Sequence, residues 1–92
     1  DRLGAIVDLR RRIGEAEQAI RRSQAETAEA EREQTRLVNL IVQLGDDSAA
    51  NRDRRARVDA IDAELAAASA RRAELADQLA ALRTQMAALI ED

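Results

Sequence analysis

The sequence predicts an all-α fold: a single antiparallel two-helix coiled-coil hairpin over residues 1–92 with a short turn near residues 45–50. Three observations lead there. Two long tracts hold a strict heptad spacing, a cluster of stop and start residues separates them, and neither tract contains a proline. The expected boundaries are helix 1 over about 2–44, a turn at 45–48 and helix 2 over about 49–91.

Helix 1 is read from its seam. Ile6, Leu9, Ile13, Ala16, Ile20, Ser23, Thr27, Ala30, Gln34, Leu37, Ile41 and Leu44 step by three and four residues without a fault. That spacing keeps one stripe of a helix facing a partner helix, which is the coiled-coil pattern. The residues between are mostly Ala, Glu, Arg and Gln, which are strong helix formers. Gly4 and Gly14 interrupt the tract, each at a cost of roughly 1 kcal/mol relative to Ala.

The turn follows. Gly45 is suited to the left-handed conformation that closes a helix. Asp46, Asp47 and Ser48 are all good N-cap residues for a helix starting behind them.

Helix 2 repeats the seam with Val58, Ile61, Leu65, Ala68, Arg72, Leu75, Leu79, Leu82, Met86 and Leu89. Ile41 and Val58 both belong to the a series, yet they are not a whole number of heptads apart. One continuous helix would need a stammer there as well as an interior glycine. A hairpin needs neither. In an antiparallel pair the position numbers of facing residues add to a constant. One constant pairs Ile6 with Leu89, Leu9 with Met86, Ile13 with Leu82, Ala16 with Leu79 and Ile20 with Leu75. It also pairs Ser23 with Arg72, Thr27 with Ala68, Ala30 with Leu65, Gln34 with Ile61 and Leu37 with Val58. Beside the turn it sets Ile41 against Arg54 and Leu44 against Asn51. The apolar-with-apolar matching gives this alignment its weight. The expected core is Ile6, Leu9, Ile13, Ile20, Leu37, Ile41, Val58, Ile61, Leu65, Leu75, Leu79, Leu82, Met86 and Leu89.

The middle of the seam is polar or small. Arg72 is expected to send its head group to water, with Ser23 opposite leaving room; the other reading makes it a register device. In this alignment Glu26 meets Arg71 favourably, whereas Glu31 faces Asp62 and Glu33 faces Glu64. Register is therefore expected to rest on apolar layers. Two helices bury little surface, so an isolated hairpin is expected to be marginal and held at its base or paired with another copy.

Composition excludes several functions. The chain has no His, Cys, Lys, Pro, Phe, Tyr or Trp and a net charge of −3. Without His or Cys the common metal sites and nucleophile–base pairs cannot be built. No cofactor, metal or small-molecule site and no catalytic residue is expected. A nucleic-acid module is usually basic and stacks bases on aromatic rings, so no direct nucleic-acid contact is expected. Arg52, Arg54, Arg55 and Arg57 lie among Asp46, Asp47, Asp53 and Asp59, and Arg10, Arg11 and Arg12 lie near Asp8 and Glu15. Both runs read as solvated helix faces, with Asp53 pairing to Arg57. No run of about 18 apolar residues offers a membrane span, and the first residues do not resemble a signal peptide; a cytoplasmic location is expected. The opening Asp1 suggests a piece of a longer chain.

The feature left for function is Leu37-Val38-Asn39-Leu40-Ile41-Val42-Gln43-Leu44, apolar almost all round. Val38, Leu40 and Val42 lie off the seam, with no third layer to cover them. With Gly45 they form the expected partner contact, to another copy or to a regulatory protein. Leu3, Val7 and Ile90 lie off the seam at the open end. They either dock the hairpin on a neighbouring domain or simply widen the seam.

The run RLVNLIVQLGDDSAANRDRR, followed by VDAIDAELAAASARRAEL, resembles the coiled-coil insertion of large serine recombinases, the phage-type serine integrases. The resemblance implies an antiparallel hairpin excised from a C-terminal zinc-ribbon region. It further implies an arm controlling synapsis and directionality, with Val38, Leu40, Val42 and the Gly45–Ser48 turn at the contacting end. The family's catalytic serine and zinc cysteines have no counterpart here. Two alternatives stand beside it: a structural spacer of the chromosome-maintenance type, and a tRNA-binding arm of a synthetase.

Overall fold

The computed structural model describes residues 1–91. It contains two helices, α1 (Arg2–Leu44) and α2 (Ala49–Glu91), packed against each other as an antiparallel hairpin. Asp1 opens α1 by accepting a 2.5 Å hydrogen bond from the Gly4 amide through its Oδ1. This satisfies one of the amides that a helix start leaves without an intrahelical partner.

The chain divides into two compact units, Gln24–Ser69 and Asp1–Ser23 with Ala70–Asp92. In the latter, the buried core is Leu9, Ala16, Leu75, Leu79 and Leu82. Ile6, Ile13, Ile20, Met86 and Leu89 are half-buried around it. In the unit Gln24–Ser69, Leu37 and Ile61 are buried, Ile61 completely, and Ile41, Val58 and Leu65 are half-buried. Each fully covered Leu or Ile contributes about 1.5–3 kcal/mol, so these layers outweigh any exposed ion pair, worth about 0–1 kcal/mol.

Polar links between the helices are nonetheless more numerous than the charge pattern foretold. Glu33 and Glu64, expected to repel, are bridged by Arg57 at 3.2 and 3.0 Å. Arg57 turns to them rather than to Asp53. Asp62 accepts a 2.6 Å bond from Gln34 Nε2, which also reaches the Val58 carbonyl at 3.3 Å. In the other unit, Arg83 pairs with Glu17 at 3.3 Å. Arg71 pairs along its own helix with Glu74 at 3.3 Å instead of with Glu26 across. Arg72 does not leave the seam for water alone, because its NH1 donates to Ser23 Oγ at 3.1 Å. These links follow the predicted antiparallel alignment. The expectation failed on charge because a long arginine reaches a carboxylate one turn away as easily as the one directly opposite.

The basic run near the start of α1 is a neutralised face, as Arg11 bridges Asp8 and Glu15 at 2.7 and 2.8 Å. Arg2 donates to the carbonyls of Leu89 and Ile90 across the pair. Gly14 is exposed, and a methyl group added there meets nothing within 4 Å. Gly14→Ala is therefore expected to stabilise the chain by about 1 kcal/mol, the helix-propensity difference alone. Urea denaturation followed by circular dichroism checks this; an unchanged or lowered midpoint contradicts it.

Candidate functional site

The turn is built by three residues in sequence. Gly45 has φ 61°, the left-handed region, and its amide donates to the Ile41 carbonyl at 2.9 Å. This bond ends α1 in an αL cap. Asp46 then folds back on Ser48, its Oδ1 accepting from the Ser48 amide at 3.3 Å and the Ser48 hydroxyl at 2.8 Å. Ser48 in turn caps α2, because its Oγ accepts from the Asn51 amide at 3.2 Å.

Asn51 closes the arrangement and is completely buried. Its Nδ2 donates to the Asp46 carbonyl at 3.0 Å and the Ile41 carbonyl at 3.4 Å, and its Oδ1 accepts from Arg54 at 3.2 Å. A buried side-chain amide without partners would cost several kcal/mol; here both ends are satisfied. Arg52 NH1 donates to the Asp47 carbonyl at 2.6 Å and Arg55 NH2 to the Asp46 carbonyl at 3.2 Å. The arginines that follow the turn thus hold its backbone, and Arg52 and Arg55 both lie within 4 Å of the Asp47 carboxylate.

The apolar residues at this end divide differently from the expectation. Val38 is 40% exposed and Val42 73%. Leu40 is half-buried, because it occupies the g position that flanks the seam. Leu44, assigned to the seam opposite Asn51, is 50% exposed. The reason is that α1 ends at Leu44, while Asn51 spends its amide on backbone carbonyls. Gly45 is exposed and shapes the turn. The outward apolar set is thus Val38, Val42 and Leu44. Beside Val38 lies a shallow groove of about 370 Å³ lined by Gln34, Thr35, Asn39, Val58 and Asp62.

Among the described residues no cluster of three or more carboxylates is placed to hold a metal ion. No helix among them is long and apolar enough to cross a membrane. Sequence reasoning missed Asn51, whose signal was a lone asparagine three residues beyond the capping serine, at a seam position. Compared with known family models, with curated proteins and with solved structures, the chain finds no match.

Two expectations follow. Asn51→Ala removes the side-chain amide that links the Ile41 and Asp46 carbonyls, which keep only the Gly45 amide and Arg55 as donors, and is expected to destabilise the chain by about 0.5–1.5 kcal/mol, read by urea denaturation; no loss contradicts the role of Asn51. The second concerns acid. The bonds from Ser48 lower the Asp46 pKa from 3.8, and the Arg57 guanidinium lowers that of Glu33 from 4.5. Because both folded values are depressed, their contribution is present above the unfolded values and is lost as pH falls through the folded ones. Stability is expected to hold above pH 4.5 and to decline on acidification below it. Carboxyl-carbon NMR checks this directly; Glu33 titrating at its ordinary value contradicts it.

Proposed function

We propose that this chain is a non-catalytic protein–protein contact arm of the kind carried by large serine recombinases, working in the cytoplasm, whose turn end meets the same surface of another copy. The observation that carries the reading is the placement of Val38, Val42 and Leu44. They are exposed beside a turn whose backbone is fixed by Gly45, Ser48 and Asn51. A preorganised apolar surface loses little entropy on binding, and exposed apolar clusters mark contact sites. The surface is small beside the roughly 1,200–2,000 Å² that stable interfaces bury. The contact is therefore weak on its own and suited to copies already held together. A regulatory protein competing for the same residues would redirect it.

A tRNA-binding arm would require a basic face, whereas Arg11, Arg52, Arg55 and Arg57 are engaged by carboxylates. A spacer has no use for exposed valines at its turn.

Sedimentation equilibrium on the native chain and on a Val38→Glu/Val42→Glu variant tests the reading. The native chain is expected to self-associate at high concentration, and the variant to remain monomeric with the same helicity. Leu40 is left intact because it is half-buried. Native chains that stay monomeric at every concentration reject contact between copies. Equal association of both chains shows that the seam drives assembly and rejects the turn end.

A further inference from the structure

A seam built only of leucine and isoleucine is stable but indifferent. Helices sharing it can slide by a heptad, or pair with another copy instead of folding back. This chain interrupts its seam with polar residues whose bonds are made in one alignment. Arg72 and Ser23 both occupy seam positions, and the Arg72 guanidinium donates to Ser23 Oγ at 3.1 Å in a part-buried setting. Gln34 is half-buried in the seam of the other unit. Its Nε2 reaches Asp62 at 2.6 Å and the Val58 carbonyl at 3.3 Å. Replacing such groups with leucine would add apolar burial, so bulk stability does not account for them.

We infer that the Ser23–Arg72 and Gln34–Asp62 pairs are register pins that select the observed antiparallel pairing over slipped and self-paired alternatives. A slip of one heptad moves each partner about 10 Å along the helix. Arg72 then faces Ala16 or Ala30, neither of which offers a side-chain acceptor. Gln34 comes to face Arg54 or Ala68, and the place of Asp62 beside it passes to Arg55 or Ser69, so its carboxylate acceptor is lost. In a parallel, in-register pair of two α2 helices, Arg72 would face the Arg72 of the other copy, two like charges in one layer. Each alternative takes a polar seam group away from its present side-chain partner, an unfavourable exchange in a part-buried layer. The native alignment avoids that exchange. Selection of this kind is the best-attested use of polar groups in a helical seam.

The test uses the absence of native cysteine. Ala16→Cys is combined with Leu79→Cys, which face each other in the native register, or with Met86→Cys, which face each other only after a one-heptad slip. Both pairs are made in the native sequence and in a Ser23→Leu/Gln34→Leu/Arg72→Leu background, then oxidised with glutathione disulfide at low protein concentration. In the native sequence only the Ala16/Leu79 pair is expected to close within a chain. In the apolar background the slipped pair is expected to close as well, with higher thermal stability and mixed species in sedimentation velocity. Gln34→Leu alone is carried alongside and is expected to relax the selectivity in part. An apolar background that still closes only the native pair and stays uniform overturns the inference. So does a native sequence that closes the slipped pair equally.

Discussion

Everything in this molecule depends on reversing the chain within four residues and holding the reversal. Gly45 supplies the one backbone conformation in the turn that other residues adopt at a cost of about 1–2 kcal/mol. Asn51 ties the end of α1 to the start of α2 through a buried amide that serves carbonyls of both Ile41 and Asp46. Once the reversal is fixed, the two seams have no choice of direction. The turn brings the layers beside it together, and the cost of closing the loop is kept low because the connection is short.

The seam then divides its labour. Large apolar residues supply the cohesion, as at Leu9, Leu75, Leu79 and Leu82 in one unit and Leu37 and Ile61 in the other. Polar seam residues supply little cohesion but make alternatives unfavourable. The flanking arginines stand between these roles. Arg57 links two carboxylates on different helices, and Arg52 and Arg55 brace turn carbonyls. Such exposed links contribute little individually, yet their geometry agrees with one alignment.

Much of the fold was legible in the sequence, because heptad spacing reports directly on which stripe of a helix is covered. Both helices and the turn could be read from Ile6 through Leu89 and from the Gly45–Ser48 cluster. The details that escaped were decided by side-chain reach and by competition for hydrogen bonds. A seam position predicts coverage for Asn51 but not that its amide would be spent on the turn. Spacing alone placed Leu44 inside, whereas the end of α1 left it half exposed. Leu40 looked uncovered because it lies off the seam, yet a flanking g position is partly shielded by the facing helix. Like-charged neighbours such as Glu33 and Glu64 gave no hint of the arginine between them, since Arg57 was matched with Asp53. Function was the least legible part, because an apolar surface declares that something can bind and says little about what.

The central claim is that one chain folds back on itself at Gly45–Asn51. Isotope-filtered NMR on an equimolar mixture of labelled and unlabelled chains tests it most directly, through the Overhauser contact between the Asn51 side-chain amide and the Ile41 α-proton. The account predicts that this contact appears within each labelled chain and vanishes from the spectrum that selects contacts between chains. Its appearance in the between-chain spectrum would contradict the account, because the two helices of each pair would then belong to different molecules.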